Sequence, residues 1–434
     1  MSTQALPGFR DFYPEDFALR AHIFETWRKV ATRYGFEEYD GPPLEPLDLY
    51  TVKSGDEIVG QLYNFTDKGD RAVALRPEMT PSLARMVAAR ANGLKKPIRW
   101  FSIPQLFRYE RQQRGRLREH FQLNCDLIGE SSPLADAEIV ALGIDVIRAF
   151  GLTAADVRVR LSDRRVLEAL LGSVGVPVEQ MHAVFAAVDK IERMTREDTR
   201  VRLGKLGLAG PVIDRVFQVL ELKDMAGIET ALGSTGDKAG AAAGLRAVVE
   251  ALGQMGLGEF VEIDLTIVRG LAYYTGTVFE LFDASRTLRA ICGGGRYDNL
   301  TGALGGVDLP AVGFGFGDVV LGELLKDRGL LPLTRGSIDV FIVSITGEDV
   351  PHALAHAHAL REAGFRVEYT LSGQAVGKQM KLADARHARV AIVIGPDDRA
   401  RDEVMIKDLE LKTQHSVPVD KIVPTLAGIL NASR

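Results

Sequence analysis

One short stretch constrains the fold of this chain more than any other, the segment from Phe107 to Asp126, FRYERQQRGRLREHFQLNCD. After Gly115 its side chains alternate between two faces. The polar face carries Arg116, Arg118, His120, Gln122, Asn124 and Asp126. The opposite face carries Leu117, Phe121, Leu123, Cys125 and Leu127, and only Glu119 interrupts it. An alternation of period two indicates a β-strand with one side packed on a core.

The segment from Trp100 to Tyr109 is aromatic-rich and also strand-like. The sequence therefore predicts two antiparallel strands joined by a basic loop at about Gln112–Gly115. The arginines of this hairpin are Arg108, Arg111, Arg114, Arg116 and Arg118. Guanidinium groups bind phosphate oxygens in a bidentate manner, which favours a site for a polyphosphate or a nucleic acid. An exposed, salt-bridged hairpin is the alternative, and the arginines alone do not separate the two.

Composition limits the class of protein. A chain of 434 residues predicts two or three domains. Hydrophobic residues make up 46% and charged residues 26%, which is typical of a soluble globular protein. The net charge of −5 means that a nucleic acid would have to bind a local basic patch. No apolar run reaches about 18 residues and the N-terminus has no apolar signal core, so we expect a soluble cytoplasmic protein.

Neither the cysteines nor a histidine pair predicts a metal site. Cys125 and Cys292 lie in apolar, strand-like runs, so we expect reduced core residues. His352 and His356 are four apart on a predicted helix, but no third ligand accompanies them, and an exposed helix face is the better interpretation.

The first third of the chain mixes helices with hairpins. Helices are predicted over Glu15–Tyr34 and after the Asp40–Glu45 break, and a hairpin over Leu62–Phe65 and Ala72–Leu75. A further helix opens at Arg76-Pro77-Glu78 and runs to about Asn92. The carboxylate of Glu78 either binds a substrate amine or simply favours the helix N-terminus.

The middle of the chain changes from helical to β character. A helix from about Pro133 to Phe150 and a strand over Val157–Leu161 precede an Ala- and Leu-rich region, Asp163 to Gly258, which predicts four or five inserted helices. The elements predicted after it are strands over Val261–Val268, Thr277–Phe282, Arg289–Cys292 and Ala311–Phe316, and helices near Asp298 and over Asp318–Arg328.

The last hundred residues alternate regularly. After a linker over Gly329–Gly336, we predict strands over Asp339–Ile345, Arg366–Leu371, Arg389–Ile394 and Glu403–Leu409, and helices over Val350–Ala363, Gln374–Ala388 and from Val419. Alternating β and α units indicate a small α/β domain with a partly parallel sheet.

Several motifs together resemble class II aminoacyl-tRNA synthetases, and the histidyl-tRNA synthetase family in particular, over essentially the whole chain. Leu6–Asp11 and Pro42–Glu45 are similar to the family's N-terminal segment and first class motif. Phe107 to Gln122 resembles the second class motif, and Ala311–Gly317 the start of the third. The most specific matches are the segments RGLAYYTG at 269–276 and GGRYD at 294–298, which resemble the two histidine signatures.

The resemblance implies an architecture and a reaction. The expected fold is an α+β catalytic domain over residues 1–330, with a central antiparallel sheet flanked by helices and a helical insertion at about 165–258, followed by an α/β anticodon-binding domain over residues 337–434. The expected activity joins L-histidine to tRNA(His) through a histidyl-adenylate, using ATP and Mg²⁺, in a homodimer with no membrane association.

The resemblance also implies roles for individual residues. Arg108 and Arg269 would be catalytic and would contact histidine and the α-phosphate, and ATP would be bound by Arg108, Glu110 and Arg116. Histidine would further be held by Glu78, Thr80, Gln122, Asp126, Tyr273, Tyr274, Gly294 and Gly295. The tRNA acceptor stem would contact Arg111, Gln113 and Arg114.

Three positions depart from the family pattern. Val320 stands where the third motif usually has an arginine that binds the γ-phosphate, Ala272 replaces an aspartate, and the order His120-Phe121 is inverted. The missing arginine removes a contact worth about 1.5–3 kcal/mol, and Arg116 or Mg²⁺ is left to compensate. The alternative function is a histidine-sensing regulatory subunit of ATP phosphoribosyltransferase. Such subunits typically lack the C-terminal domain and degrade the Arg269 signature, both of which are present here.

Overall fold

The computed structural model describes residues 3–51, 59–111, 113, 115–233, 237–269, 273–299, 302, 308–331 and 338–431. It divides into two compact units, Met1–Pro332 and Leu333–Arg434. In the described ranges no helix is long and apolar enough to cross a membrane.

A mixed sheet forms the centre of the first unit. The strands of this unit are, in chain order, β1 (Glu37–Glu38), β2 (Leu44–Pro46), β3 (Asn64–Thr66), β4 (Ala72–Leu75), β5 (Ile98–Ser102), β6 (Gln105–Phe107), β7 (Glu119–Ile128), β8 (Val157–Asp163), β9 (Val261–Ile263), β10 (Thr277–Asp283), β11 (Cys292–Arg296) and β12 (Ala311–Gly317). The sheet has the order β1-β5-β7-β12-β11-β10-β8-β9, and β6 pairs with the first residues of β7. The strands β2-β4-β3 form a small separate sheet.

Most pairings in the large sheet are antiparallel, and only the edge pairs β1–β5 and β8–β9 are parallel. The apolar face of β7 accounts for its central place, because Leu123, Cys125 and Leu127 are almost completely buried in the main core. The class II α+β fold predicted from the sequence is confirmed, with a sheet that is antiparallel in its centre and parallel at its edges.

Helices cover the sheet and form the insertion. In the first unit they are α1 (Pro14–Arg33), α2 (Asp48–Thr51), α3 (Thr80–Arg90), α4 (Pro133–Ala149), α5 (Arg164–Ser173), α6 (Met181–Val188), α7 (Arg196–Lys205), α8 (Gly210–Leu220), α9 (Met225–Leu232), α10 (Asp237–Gln254) and α11 (Asp318–Asp327). Side-chain caps from Asp163, Thr195 and Asp224 start three of the inserted helices by accepting hydrogen bonds from unpaired backbone amides. The described insertion holds six helices, α5 to α10, where four or five were predicted.

Three predicted elements differ in the structure. The helix expected after the Asp40–Glu45 break is described only as the single turn α2, because residues 52–58 lie outside the described residues, and the strand β2 at the break was not predicted. The strand predicted over Arg289–Cys292 begins only at Cys292 and continues to Arg296. The strand predicted over Val261–Val268 ends at Ile263. It ends because the Asp264 carboxylate accepts a hydrogen bond from the Thr266 amide at 3.1 Å and turns the chain. The helix expected near Asp298 falls mostly outside the described residues.

The N-terminal segment is tied to the starts of β7 and α11. Arg10 binds Glu119 at 2.6 Å and Asp318 at 2.9 Å. Asp318 in turn accepts a hydrogen bond from the Phe121 amide at 2.9 Å. Burial raises the pKa of Asp318, although Arg10 opposes the shift. One guanidinium therefore joins two elements that are far apart in the sequence.

The second unit is a five-stranded sheet with helices. Its elements are β13 (Val340–Ser344), α12 (Val350–Glu362), β14 (Val367–Tyr369), α13 (Val376–Ala385), β15 (Val390–Ile394), α14 (Pro396–Ala400), β16 (Glu403–Asp408), β17 (Thr413–Pro418) and α15 (Ile422–Asn431). The order is β14-β13-β15-β16-β17, with parallel pairing around β13 and antiparallel pairing beyond β15. The predicted partly parallel sheet is confirmed, and β17 was not predicted.

Candidate active site

Two adjoining cavities open on the polar face of β7. The larger has a volume of about 520 Å³ and the smaller about 300 Å³. They are continuous, because they share the lining residues Arg108, Glu110, Arg116, Gln122, Asp189, Arg193, Arg269, Glu280, Gly293 and Gly315. The polar face that the sequence places opposite a core is therefore the wall of a site.

The smaller cavity gathers most residues for which the sequence predicts histidine binding. Those that line it are Glu78, Thr80, Arg108, Gln122, Asp126, Arg269, Tyr273 and Tyr274. Glu78 is only 5% exposed, and its carboxylate accepts a hydrogen bond from the Tyr273 hydroxyl at 3.2 Å. Burial, followed by the charge of Glu78, raises the pKa of Tyr273, so its hydroxyl keeps its proton. A buried carboxylate next to a cavity is suited to an ammonium ligand.

Asp126 is buried at the base of the same cavity. It accepts a hydrogen bond from the Tyr297 hydroxyl at 2.5 Å. Burial raises the pKa of Asp126 to about 7, and the hydrogen bond from Tyr297 only partly opposes this shift. His120 behaves in the opposite way, because burial and then the charges of Arg108 and Arg10 lower its pKa to about 3. At neutral pH Asp126 therefore titrates while His120 is uncharged.

Glycines on the neighbouring strands make room for these side chains. A Cβ atom on Gly313 would lie 2.0 Å from Oδ1 of Asp126, and one on Gly315 would lie 2.5 Å from Cδ of Gln122. A Cβ atom on Gly293 would lie 1.5 Å from Nη1 of Arg269. The polar groups of the site therefore occupy the space that ordinary side chains would fill on β11 and β12.

The two glycines predicted to floor the histidine pocket do not line either cavity. Gly294 and Gly295 are buried in β11. A Cβ atom would lie 2.3 Å from the Gly313 carbonyl oxygen in the first case and 2.6 Å from the Thr277 carbonyl oxygen in the second. They permit close packing of strands, whereas the adjacent Gly293 faces the cavities.

Arg269 lies at the junction of the cavities in a strained conformation. Its φ of 54° is in the left-handed region, which costs a non-glycine residue on the order of 1 kcal/mol and is concentrated at functional sites. Nη1 of Arg269 binds Oε1 of Glu280 at 3.0 Å. Its buried Nε has no hydrogen-bond partner among the described residues. This Nε is therefore a buried donor for which no protein acceptor is described.

Electrostatics keep Arg269 charged in this buried position. Burial acts to lower its pKa, but neighbouring groups that include Glu280 act more strongly, and its pKa lies above the ordinary value. Burial conversely raises the pKa of Glu280, which Arg269 partly offsets. The pair is a fixed positive group backed by a carboxylate.

The other predicted phosphate ligands also line both cavities. Arg116 forms an ion pair with Glu110. Arg108 is oriented by the hydrogen bond from its Nε to the Pro77 carbonyl oxygen at 2.9 Å. With Arg193 and Arg269, which also line both cavities, these residues give the junction four guanidinium groups. That concentration of positive charge is suited to a polyphosphate.

The helical insertion contributes residues that the sequence did not indicate. Asp189, Lys190 and Arg193 follow α6 and line the smaller cavity. The neighbouring Glu192 binds Arg160 at 2.5 Å, and Arg160 binds Asp264 at 2.6 Å. A chain of charges therefore connects the insertion to the segment that leads to Arg269.

The remaining predictions concern tRNA and metal. Arg111 and Gln113 are exposed and line neither cavity, and Arg114 lies outside the described residues. Within the part of the chain that the structure describes, no group of three or more His, Cys, Asp or Glu side chains could hold a metal ion.

A sheet that is antiparallel at its centre, with arginine-lined cavities on its polar face, agrees with the class II aminoacyl-tRNA synthetase architecture that the motifs predict. A family model described as histidyl-tRNA synthetase matches residues 8–317, and a model described as an anticodon binding domain matches residues 339–429. The chain belongs to the histidyl-tRNA synthetase family.

Similar proteins agree with this assignment. A histidine–tRNA ligase of Opitutus terrae is 49% identical, over 96% of this chain and 97% of the relative. The crystal structure of histidyl-tRNA synthetase from Nostoc sp. PCC 7120 has a TM-score of 0.84 at 26% identity, covering 98% of this chain and 99% of that one. A Bacillus halodurans C structure described as an ATP phosphoribosyltransferase regulatory subunit/histidyl-tRNA synthetase has a TM-score of 0.76 at 25% identity, covering 91% and 98%.

Proposed function

We propose that this protein joins L-histidine to tRNA(His) in two steps, by way of a histidyl-adenylate formed from ATP. The observation that carries the proposal is the junction of the two cavities. Arg108, Arg116 and Arg269 line both cavities there, and Glu78 lines the smaller cavity alone. The smaller cavity is suited to the amino acid and the larger to ATP.

Histidine is oriented by its charged ends and its ring. The buried carboxylate of Glu78 binds the α-ammonium group, with Thr80 beside it. Asp126, held by Tyr297, accepts a hydrogen bond from a ring nitrogen, and Tyr273 and Tyr274 supply the aromatic wall. A buried carboxylate left unpaired by an isosteric side chain penalises the wrong amino acid. Gln122 lies between these groups and the arginines.

In the first step a carboxylate oxygen of histidine attacks the α-phosphorus of ATP. A P–O bond forms, the bond to the β-phosphate oxygen breaks, and pyrophosphate leaves with that electron pair. Arg108 and Arg269 stabilise the charge that develops on the α-phosphate, and Arg116 binds the outer phosphates. In the second step the acyl group passes to the 3′ end of tRNA and AMP leaves.

We propose that Mg²⁺ is bound mainly by the phosphates of ATP and not by a complete set of protein ligands. Mg²⁺ is usually bound by one or two carboxylates together with substrate phosphates, so it does not need a group of three protein ligands. Glu110, which lines both cavities next to Arg116, is the carboxylate that would hold the ion. The ion would neutralise charge on the phosphates.

The proposed partners follow from the family. Arg111, Gln113 and Arg114 would contact the acceptor stem, and the exposure of Arg111 and Gln113 is compatible with this role. The second unit would bind the anticodon. We further propose that the protein acts as a homodimer in the cytoplasm.

Histidine-dependent ATP–pyrophosphate exchange with purified protein tests the proposal. The expected result is exchange that occurs with histidine and with no other amino acid. The regulatory-subunit alternative predicts histidine binding without exchange. It is the weaker reading, because the relative that is 49% identical is a histidine–tRNA ligase. Absence of exchange at saturating ATP and histidine would exclude the synthetase function.

A further inference from the structure

The larger cavity contains an arginine for which the motifs give no role. Arg289 lies between β10 and β11 and is half-buried in the cavity wall. Five arginines line this cavity, namely Arg108, Arg116, Arg193, Arg269 and Arg289. All except Arg289 also line the smaller cavity. Arg289 is therefore the arginine that marks the part of the larger cavity not shared with the amino-acid side.

The backbone next to Arg289 is attached to the end of β12. The backbone amide of Gly317 donates to the carbonyl oxygen of Ile291 at 3.1 Å, which joins the Arg289 segment to the end of β12. Arg289, Ala290 and Ile291 then line the cavity together with Gly317, Val319 and Val320. Val320 is 7% exposed and apolar, so α11 offers no cation from this position.

Charges in the cavity favour an anion at this end. Five arginines and four carboxylates line the cavity, and three of the carboxylates form ion pairs, Glu110 with Arg116, Glu280 with Arg269 and Glu192 with Arg160. The reacting α-phosphate must lie at the junction, next to the amino acid. The β- and γ-phosphates then extend into the unshared part of the larger cavity, where a guanidinium group can bind two of their oxygens.

We infer that Arg289 binds the outer phosphates of ATP and the pyrophosphate formed from them, in place of a cation at Val320. The inference rests on the proposed function, because the cavity must hold ATP with its α-phosphate towards the smaller cavity. Arg289 acts on the substrate directly from the wall that it shares with Val320, and it is absent from both histidine signatures.

The test compares Arg289→Ala with Arg286→Ala, a loss of the same charge three residues earlier. Arg286 lines neither cavity, since its side chain, 55% exposed, lies near Glu192 and Glu262. In pyrophosphate exchange, Arg289→Ala should raise KM for ATP and for pyrophosphate by about tenfold or more, as expected for a lost hydrogen bond to a charged group. KM for histidine should be unchanged, and Arg286→Ala should resemble the wild type.

A non-hydrolysable sulfamoyl analogue of histidyl-adenylate has no β- or γ-phosphate. It therefore shows whether Arg289 contacts the outer phosphates or another part of the bound nucleotide. Its inhibition constant should be the same for the wild type and Arg289→Ala. Equal weakening of the analogue, or wild-type KM values for ATP and pyrophosphate in Arg289→Ala, would overturn the inference. Failure of the proposed function is separate, because the wild type itself would then show no exchange.

Discussion

The two sheets of this protein use buried positions in opposite ways. In the second unit, β13 and β15 read VFIVS and VAIVI and are buried almost throughout among apolar side chains. In the first unit, β7 buries Asn124 and Asp126, and the adjoining β11 and β12 are rich in glycine. Polar side chains on β7 and glycines on β11 and β12 leave a cavity where apolar side chains would otherwise pack. The first sheet therefore has one apolar face for the core and one polar face for chemistry, whereas the second sheet is apolar on both faces.

Arg269→Ala should have the largest effect on chemistry. We expect a fall of about 100- to 1,000-fold in the turnover number for exchange, because a preorganised positive group would be lost beside the reacting phosphate. Equilibrium dialysis with histidine should show binding retained. Arg389→Ala, which breaks an ion pair with Asp408 in the second unit, is the matched control and should lower the melting temperature alone. An unchanged turnover number in Arg269→Ala would remove it from the catalytic residues.

Gly313→Ala should be nearly as severe. The new Cβ atom would displace the carboxylate of Asp126, and a misplacement of this size costs about 100-fold in kcat/KM for histidine. In the second unit, a Cβ atom on Gly377 in α13 would meet no atom within 4 Å. Gly377→Ala should leave exchange unchanged and stabilise by up to about 1 kcal/mol. Equal activities in the two variants would contradict the difference between the sheets.

Removal of residues 337–434 should separate the two units functionally. Exchange should stay within about twofold of the wild type, because the residues that line both cavities belong to the first unit, whereas tRNA charging should fall by about tenfold or more as anticodon contacts are lost. Aminoacylation with labelled histidine measures the second effect. Intact charging by the shortened chain would show that the second unit does not bind tRNA.

Substitutions of Asp126 and Asp408 test stability rather than catalysis, and the contributions of the two carboxyl groups to stability should change with pH in opposite directions. The pKa of Asp126 is raised to about 7 by burial, so the folded state keeps a proton that the unfolded chain loses near pH 4, and stability falls as the pH rises from about 4 to about 7. Asp126→Asn removes this loss. Relative to wild type it should therefore become more stable between pH 5 and pH 7.5 in urea unfolding.

Asp408 is the counterpart in the second unit. Burial acts to raise its pKa, but Arg389 and backbone amides act more strongly and lower it. Its contribution to stability is therefore present above about pH 4 and is lost as the pH falls further. Asp408→Asn should destabilise by a constant amount between pH 5 and pH 7.5. A constant difference for Asp126→Asn as well would contradict the raised pKa of Asp126.

The sequence predicted the second unit almost element by element, because apolar runs and helical spacing determine it. β17 was missed because Thr413–Pro418 is mostly exposed and carries no apolar run. In the first unit the polar face of β7 and the cluster at Glu78 were identified through motifs. Arg193 and Lys190 could not be, because they follow an ordinary amphipathic helix and reach the cavities only through the packing of the insertion. The roles of Gly313 and Gly315 depend likewise on which side chain lies across the sheet.

The tie made by Arg10 has a practical consequence for handling this protein. Arg10 forms ion pairs with Glu119, the first residue of β7, and with Asp318, the first residue of α11. The N-terminal segment that contains Arg10 therefore holds together two elements that line the active site. Affinity tags and protease sites are commonly placed at such an end on the assumption that it is inert. A shortened protein that lacks Arg10 should therefore not serve as the reference sample for kinetics.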